Sequence, residues 1–500
     1  MSLMGLDIGT SGCKATVFAE DGTVLAFARG AYPLHTTPEG WLELDAQEVW
    51  AQAAGCMRQV NAHVRQDPVR ALAVSVLGEA VMAVDASGEP LARSPVSFDG
   101  RALSQAEDFR RTFGADTAYV VTGQPIHPMY SIHKIAWWRA QRPELFAAAW
   151  KFLCYGDFVA LKLGLPPAID YSMAARTQAF DIRTKRWSPP VLAWADIEPD
   201  RLATPVPGGY VIGEIPPWVA QDLGFGQGVI LAAGGHDQPC GALGSGALQV
   251  EQAMYALGTT ATIAPTLPAP AFGLAAEGFP CYPHVIPDSY VTLAGTSSGG
   301  SLLRWFRDVF GDREQRIAQE TGRDIYDVLM DLVGEGPGKL LLLPQFAGTE
   351  APFLDSQARG ALYGLSFSST RADVVQAIVE SVALETATHL QHLRAAGVPI
   401  ASLRAIGGGA SSPKWMQLHA DILGMPIRVP QVNEATGLGA ALLAGFGAGC
   451  YHSLQQAVSQ VIAIKATYEP RPERVELYRG RQAMLERARR ESQWIYPLLA

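Results

Sequence analysis

The chain has 500 residues, which is too long for one hydrophobic core and predicts two domains or three. Hydrophobic residues make up 48% and charged residues 17%, a balance typical of globular proteins that argues against long disordered segments. The net charge of −9 disfavours a nucleic-acid partner, which needs a basic surface. An anionic ligand such as ATP would therefore have to be held by backbone N–H groups, a metal ion or single cations.

Cysteine usage and apolar segments bear on the compartment. The six cysteines are scattered without a CxxC pair, which indicates neither a zinc site nor a disulfide framework and suits the reduced cytoplasm. No basic segment precedes Asp7, so we expect no signal peptide. The most apolar long segment, 435–451, is rich in glycine and alanine, and we interpret it as a closely packed internal helix rather than a membrane span.

The first 85 residues predict a run of antiparallel strands followed by a helix and further strands. The predicted strands are 3–8, 14–18, 24–28, 71–77 and 81–84, with a turn at 9–12 and a helix at about 45–65. Asp45 is a plausible N-cap of that helix. The order does not fit a Rossmann unit.

Further along the chain, a short apolar strand at 229–233 leads into Gly234 and Gly235, with Asp237 just beyond them. Strand ends that turn on glycine are where α/β proteins place reacting groups. The remaining predicted elements are strands at 210–215, 340–343 and 404–406, helices at 371–394 and 413–423, and a charged, solvated helical tail after residue 451.

A short echo indicates an internal duplication. Leu6–Ser11 (LDIGTS) and Tyr255–Thr260 (YALGTT) lie 249 positions apart, half the chain length. With the strand order above, this resembles the ribonuclease-H-like fold of the actin, Hsp70 and sugar-kinase ATPases. In that α/β fold, two copies of the domain face each other across a nucleotide cleft.

Several motifs, in their order and spacing, resemble the FGGY family of carbohydrate kinases. They are LDIGTSGCKATVF, SVLGEAVMAVDASGEPL, DGR, TGQP…HK, DYSMAARTQAFDI, GGHDQPCGALGSG, ALGTTATI, LPQFAGTEAPFLDSQARG, GGGASSPKWMQLHADILGMPI and EATGLGAALLAG. The resemblance implies an N-terminal domain, 1–247, that binds sugar and carries the catalytic base. It also implies a C-terminal nucleotide-binding domain, 248–500, that includes a helical tail at 446–500.

The first glycine turn has the residue types of a phosphate site. Gly9 lets the backbone approach a phosphate closely, and the hydroxyls of Thr10 and Ser11 can donate to it. Lys14 adds a cation, and Asp7 is suited to hold Mg²⁺. A plain polar hairpin is the alternative for this motif taken alone. Lys14 stands where an arginine is common in relatives, which keeps the charge but loses the planar fork.

The second half carries the residues that the resemblance assigns to the nucleotide. Gly258, Thr259 and Thr260 would grip the phosphates of ATP, although a tight turn with exposed threonines is the alternative. A triple glycine opens the helix at 413–423, which suits the adenosine end of ATP. The nucleoside contacts implied by the resemblance are Gly300, Arg304, Gly408, Gly409 and Ser412, with a surface arginine as the alternative for Arg304.

Asp237 is the candidate general base. It would take the proton from the sugar hydroxyl that attacks the γ-phosphorus, a reaction in which positioning and charge neutralisation dominate. Its alternative role is to cap the following helix. Gln238 is placed to bond a substrate hydroxyl, and we interpret His236 as structural.

The expected sugar pocket departs from named relatives at Leu77-Gly78-Glu79. Xylulose kinases of the family show Gln-Met-His there, and glycerol kinases show Gln-Arg-Glu. By resemblance Glu79 accepts a hydroxyl, with a surface glutamate as the alternative, and Met129 stands where glycerol kinases place a tyrosine. For His133 and Lys134, helix packing and ligand binding both stay open.

The sequence therefore predicts an ATP- and Mg²⁺-dependent kinase of a ketose, sugar acid or polyol, with no nucleic-acid or membrane partner. A homodimer is one alternative for its oligomeric state. Two alternative functions are a catalytically silent sugar- and nucleotide-binding regulator and a chaperone-like ATPase of the same superfold. The regulator should have lost Asp7 or Asp237, and the ATPase should lack the base, yet both residues are present.

Overall fold

The computed structural model describes residues 2–355, 357–432 and 434–499. The strands up to residue 236 are β1 Ser2–Ile8, β2 Gly12–Ala19, β3 Val24–Ala31, β4 His35–Thr36, β5 Leu42–Leu44, β6 Val69–Val76, β7 Met82–Val84, β8 Ser94–Pro95, β9 Lys151–Leu153, β10 Ala168–Asp170, β11 Phe180–Asp181, β12 Arg186–Trp187, β13 Thr204–Val206, β14 Val211–Glu214 and β15 Ile230–His236. Those that follow are β16 Glu251–Leu257, β17 Ala261–Leu267, β18 Tyr282–Pro283, β19 Tyr290–Val291, β20 Ala294–Thr296, β21 Leu341–Leu343, β22 Ala361–Tyr363, β23 Ile400–Ile406, β24 Ile427–Pro430 and β25 Ile464–Tyr468.

Helices connect these strands. They are α1 Ala46–His63, α2 Leu103–Phe113, α3 Ala115–Thr122, α4 Ser131–Gln141, α5 Pro143–Ala148, α6 Tyr155–Lys162, α7 Tyr171–Ala175, α8 Pro189–Ala195, α9 Pro217–Leu223, α10 Asp237–Ser245, α11 Ser301–Phe310, α12 Asp312–Thr321, α13 Ile325–Asp331, α14 Arg371–Ala395, α15 Pro413–Leu423, α16 Ala435–Gly447, α17 Leu454–Val461, α18 Pro472–Ser492 and α19 Tyr496–Leu499. Asp45 caps α1 by accepting from the N–H groups of Gln47 and Glu48, as predicted. None of the described helices combines the length and the apolar character needed to cross a membrane.

Two mixed sheets with the same plan organise the chain. The first has the order β14-β15-β6-β1-β2-β3, with parallel pairs between β15, β6 and β1 and antiparallel pairs elsewhere. The second repeats this plan as β25-β24-β23-β16-β17, again with parallel pairs at its centre. In both sheets the echoed glycine-threonine turn joins the central strand to its antiparallel neighbour, β1 to β2 and β16 to β17. The repeated plan supports the duplication inferred from the sequence.

Helices α10 and α16 cross at backbone distance, and α16 also packs on the first sheet. A Cβ added at Gly244 would lie 1.8 Å from the Ala435 carbonyl oxygen, and one at Gly439 would lie 1.9 Å from that of Cys240. At Gly5 in β1, an added Cβ would lie 1.8 Å from the carbonyl oxygen of Gly437 in α16. The prediction of a closely packed internal helix in this segment is confirmed, and the glycines are what permit the approach.

Two sequence predictions need correction. The strand predicted to stop before the double glycine continues through it as β15, and an added Cβ at Gly234 would lie 1.9 Å from the Val74 carbonyl oxygen of β6. The tail after residue 451 is not only a solvated helical layer: β25 joins the second sheet, and α18 buries Tyr478 and Leu485. The sequence pattern missed the strand because it is short, and because charged residues dominate the tail.

Candidate active site

Three neighbouring parallel strands bring the main candidate residues together. In β1, β6 and β15, Asp7 lies opposite Ser75, which lies opposite Gly235. One step further, the strands end at the Gly9 turn, at Leu77–Glu79 and at Asp237, and the N–H of Leu77 donates to the carbonyl oxygen of Ile8 at 2.8 Å. The carboxyl ends of parallel strands meet at one edge of a sheet, which is the usual place for a ligand in open α/β folds.

Asp237 is the first residue of α10, and its carboxylate is partly buried and partly exposed to solvent. His236, not Asp237, is the N-cap, so Asp237 does not fill the capping role that was the alternative. Oδ1 of Asp237 is buried and faces the ring of His236, while 31% of the whole side chain stays exposed. Burial, with the nearby carboxylates of Asp7 and Glu79, raises the Asp237 pKa to about 7. A carboxylate with that pKa can accept a proton near neutral pH.

The ring of His236 contacts both Tyr282 and the carboxylate of Asp237. Its Nδ1 lies 2.9 Å from the hydroxyl of Tyr282, and its Nε2 lies 3.2 Å from Oδ1 of Asp237. Burial and the charge of Arg176 lower the His236 pKa well below its usual value, so the ring is neutral at pH 7. The ring is therefore held in place beside Asp237, in line with the structural role expected for it.

The side chain of Tyr32, which belongs to none of the predicted motifs, holds the first glycine turn. The Tyr32 hydroxyl contacts two carbonyl oxygens of the turn, that of Gly9 at 2.6 Å and that of Gly12 at 2.9 Å. Thr10 is partly exposed and Ser11 is exposed, so both hydroxyls are accessible. Burial raises the pKa of Asp7 to about 6 against the opposing effect of the Lys14 charge.

Lys14 makes a contact that spans the two halves of the chain. Its Nζ lies 2.8 Å from Oε2 of Glu434, which immediately precedes α16. Both side chains keep partial exposure, 44% for Lys14 and 31% for Glu434. Lys14 therefore already has an anionic partner beside the turn.

The second sheet builds a matching set of loops. The turn at Gly258–Thr260 is hydrogen-bonded to the start of α11. The N–H groups of Gly299 and Ser301 donate to the carbonyl oxygen of Thr259, and the N–H of Gly300 donates to the carbonyl oxygen of Gly258. Arg304 reaches back from α11 to donate to the Thr259 hydroxyl at 3.3 Å. These predicted nucleotide residues therefore form one continuous surface.

The triple-glycine loop lies against that surface. A Cβ at Gly407 would come within 2.7 Å of the Leu257 carbonyl oxygen, whereas one at Gly258 or Gly408 would meet no atom within 4 Å. The exposed face of Gly258 and Gly408 is thus free for a ligand to approach the backbone. Ser412 caps α15 by accepting from the Trp415 N–H at 3.4 Å, with Gly409 just before it in the same loop.

Glu79 is not a surface glutamate, because only 2% of it is exposed. Its carboxylate is bonded to the guanidinium of Arg176, and its backbone adopts a left-handed φ of 60°. Its carbonyl oxygen accepts from the Ser131 hydroxyl at 2.9 Å and from Lys134 Nζ at 3.2 Å. A strained conformation fixed by this many contacts is typical of functional sites.

The other predicted pocket residues surround Glu79 less directly. Leu77 and Gly78 are buried, and Oε1 of Gln238 is buried without a partner. Met129 is partly exposed, and its N–H donates to Nδ1 of His127 at 3.2 Å. His133 and Lys134 are completely buried in α4, with His133 bonded to Gln178 at 2.7 Å, so neither lies on a helix surface.

Arg176 and Tyr282 are the site residues that sequence reasoning missed. Arg176 is buried just after α7, and Tyr282 lies in β18, more than 100 residues away. The Cζ of Arg176 lies 5.2 Å from the Tyr130 ring centre and 5.4 Å from that of Tyr282. One signal was available: Arg176 is a lone charge among small and apolar residues, a pattern that indicates a buried, paired arginine.

The residues present fit a nucleotide with a magnesium ion. Among the described residues no three His, Cys, Asp or Glu side chains gather into a metal site. Mg²⁺ at phosphoryl-transfer sites is commonly bound by one or two carboxylates, with water and substrate phosphates completing the shell. Asp7, partly buried beside the Gly9 turn, suits that mode, and Gly258 and Gly408 leave room for a ligand at their backbone.

The comparisons with known proteins cover nearly the whole chain. The model of the FGGY family of carbohydrate kinases, N-terminal domain, matches residues 2–244, and that of the C-terminal domain matches 253–448. A gluconokinase of Bacillus subtilis is 28% identical over 95% of this chain and 93% of its own. An autoinducer-2 kinase of Yersinia enterocolitica is 29% identical over 96% of this chain and 92% of its own.

A solved structure of ligand-bound xylulose kinase from Lactobacillus acidophilus shares the fold. Its TM-score is 0.89 at 22% identity, with 100% of both chains covered. This likeness confirms the two-domain α/β fold expected from the sequence, and the matches to the two family models confirm the expected kinase activity. The chain belongs to the FGGY family of carbohydrate kinases.

Proposed function

We propose that this enzyme transfers the γ-phosphoryl group of ATP to a hydroxyl of a small carbohydrate, with Asp237 as general base. The observation that carries the proposal is the placement of Asp237. Asp237 lies at the shared edge of β1, β6 and β15, with its Oδ1 3.2 Å from Nε2 of His236. Burial and the carboxylates of Asp7 and Glu79 raise its pKa to about 7. One oriented carboxylate is sufficient for this reaction, because positioning and charge neutralisation supply most of the rate.

In the proposed mechanism, Asp237 accepts the proton of the attacking hydroxyl while Gln238 holds a neighbouring hydroxyl. His236 keeps Asp237 in place through the 3.2 Å approach of Nε2 to Oδ1. Glu79, Leu77, Gly78 and Met129 form the rest of the sugar pocket. Asp7 would hold Mg²⁺, which when bound neutralises charge on the phosphates.

Backbone and hydroxyl groups from both halves would hold the nucleotide. Thr10, Ser11 and Lys14 contact the phosphates from the first half, and Gly258, Thr259 and Thr260 from the second. Gly300, Arg304, Gly408, Gly409 and Ser412 border the nucleoside. In this proposal residues 1–247 bind sugar and residues 248–500, with the tail at 446–500, bind nucleotide.

The proposal is tested by measuring ADP release with a coupled assay over ketopentoses, ketohexoses, polyols and aldonates. We expect turnover with at least one substrate class, and a loss of at least about 10³-fold in kcat for Asp237→Asn. Undiminished turnover in that variant would contradict the assignment of the base. Sugar binding without turnover of any substrate would instead favour a silent regulator.

A further inference from the structure

The space beside Gly78 is occupied by the ring of His236, with the Arg176 guanidinium next to it. A Cβ added at Gly78 would lie 2.9 Å from Nε2 of His236 and 3.7 Å from Nε of Arg176. The pocket therefore does have an arginine next to Glu79, but it arrives from the end of α7 rather than from the adjacent residue. A Cβ at position 78 would force the His236 ring to shift, whereas it would only touch the Arg176 guanidinium at an ordinary contact distance.

The charge of Arg176 is fully engaged. Its Nε and Nη2 both contact Oε1 of Glu79, and Nη1 donates to Oε1 of Gln124 at 3.2 Å. The same Gln124 oxygen accepts from the Tyr130 hydroxyl at 2.9 Å. The side chains of Arg176 and Glu79 are only 6% and 3% exposed. A buried pair of this kind presents little net charge to a ligand, because each ion satisfies the other.

The other charges around the pocket are balanced as well. Lys134 is completely buried, with its Nζ on the Glu79 carbonyl oxygen, so it offers no ammonium to a ligand. His127, although exposed as a residue, has Glu79 and Arg176 as charged neighbours, and partial desolvation of its ring lowers its pKa, so it offers little positive charge at pH 7. The carboxylate of Asp237, which would face the reacting hydroxyl, disfavours a second negative group beside it.

The unused hydrogen-bonding groups at this wall are uncharged or accept hydroxyls. Nε2 of Gln124 and Oε1 of Gln238 are buried without partners, and the carboxylate of Asp237 stays partly exposed. Buried polar atoms without partners are uncommon in folded proteins and often mark a place that a ligand completes. Amide and carboxylate groups match the hydroxyls of a neutral carbohydrate, whereas a sugar carboxylate is bound most strongly by charged donors such as a free guanidinium.

We propose that Arg176, paired with Glu79, forms a charge-neutral wall of the sugar pocket that selects uncharged ketoses or alditols and rejects sugar acids. This inference rests on the proposed function, since it concerns the pocket that Asp237 faces. Arg176 acts as a positioning residue: it fixes the carboxylate of Glu79 and is itself withheld from the substrate.

The test compares matched substrates that differ only in the acid group. The pairs are xylitol with D-xylonate and D-glucitol with D-gluconate, with D-xylulose and D-fructose as neutral ketoses. The best neutral compound is expected to exceed the best aldonate by at least about 100-fold in kcat/KM, which corresponds to about 2.7 kcal/mol. Binding is measured in parallel by tryptophan fluorescence and thermal shift without ATP.

Each outcome separates the two proposals. Preferred turnover of an aldonate overturns the neutral wall and leaves the proposed kinase function intact. Binding of neutral compounds with no phosphoryl transfer overturns the proposed function and leaves the wall intact. Absence of both binding and turnover overturns both.

Variants test the role of Arg176 directly. Glu79→Gln frees the guanidinium and is expected to reduce the preference for neutral substrates to less than about 10-fold, mainly by raising kcat/KM for aldonates. The double variant E79Q/R176Q removes the freed cation and should restore the preference, and it keeps the test valid if the single variant does not fold. Glu314→Gln, which breaks the ion pair of Glu314 with Arg371 in the second half, is the matched control and should leave the ratio unchanged. An unchanged ratio in Glu79→Gln would overturn the role of Arg176.

Discussion

Lys14 and Glu434 form an ion pair of 2.8 Å that links the phosphate-binding turn of the first half to the residue before α16. On the proposed function, the same ammonium contacts the phosphates of ATP. Glu434 therefore competes with the nucleotide for Lys14. A partly exposed pair of this kind contributes about 0.2–1 kcal/mol, so the competition is modest.

Replacement of Glu434 by glutamine should tighten nucleotide binding. We expect the KM for ATP to fall about two- to fivefold, since the carboxylate no longer holds Lys14 and no longer repels the phosphates. Lys14→Gln should raise the KM for ATP instead. The effect of Glu434→Gln should shrink at high salt, because exposed charges are screened. A KM that rises in this variant would show that Glu434 assists the nucleotide.

The pH dependence of the reaction should report on Asp237. Its pKa is raised to about 7, and only the ionised form accepts a proton, so kcat/KM should decline as the pH falls below about 7. The decline approaches tenfold per pH unit on the acidic limb. A pH–rate profile from 5 to 9 measures it.

Asp157 offers a matched control for that profile. It is another buried carboxylate, with a pKa raised to about 8 by burial, but it accepts from the Cys154 N–H at the start of α6. Asp157→Asn should therefore leave the acidic limb in place. Loss of the limb in this variant would move the titration away from Asp237.

Asp237 should also lower the stability of the folded protein at alkaline pH. Its pKa is higher in the folded chain than in the unfolded chain, so the folded state binds the extra proton. The favourable contribution is present at low pH and is lost as the pH rises through about 7. Asp237→Asn should raise the Tm by about 1–3 °C at pH 8 and by less at pH 5. Equal shifts at both values would contradict the assignment.

Tyr32 should matter for the nucleotide although its hydroxyl contacts only the backbone. Tyr32→Phe removes the contacts to the carbonyl oxygens of Gly9 and Gly12, which should loosen the turn and raise the KM for ATP about three- to tenfold. Tyr451→Phe is the control, because that hydroxyl donates to the Glu20 carbonyl oxygen at 2.8 Å, away from the turn. An effect of equal size in both variants would indicate a general loss of stability.

The crossing of α10 and α16 should tolerate no side chain. Gly439→Ala places a Cβ only 1.9 Å from the Cys240 carbonyl oxygen, a severe overlap. The substitution should reduce the free energy of unfolding by at least about 3 kcal/mol. Gly480→Ala in α18 meets no atom within 4 Å and should raise stability by about 0.5–1 kcal/mol. Urea denaturation of both variants distinguishes a packing effect from a general glycine effect.

Local patterns in the sequence were sufficient for much of the fold. The N-cap at Asp45, the central strands and the two glycine-threonine turns follow from residue types within a few positions. The grouping of Asp7, Glu79 and Asp237 followed from resemblance, and the adjacent strands give it a physical basis.

Contacts between segments that are far apart in the sequence could not be predicted from such local patterns. Arg176 pairs with Glu79 across 97 positions, and nothing near Gly78 shows that its missing side chain makes room for the His236 ring. Tyr32 likewise appears as an ordinary aromatic residue after β3. The double glycine suggests a strand end, but the structure shows that Gly234 permits the close approach of β15 to β6 and that Gly235 leaves room for Val285.

The position of α16 has a consequence for how the chain folds. By sequence this helix belongs to the second half, yet its apolar residues Leu438 and Leu442 share one core with Leu3 and Phe18 of the first sheet. A fragment that ends at residue 247 would leave that face uncovered, and such a surface promotes aggregation. We therefore expect the two halves to fold and unfold as a single cooperative unit, because the helix at 435–447 completes the core on one face of the first sheet.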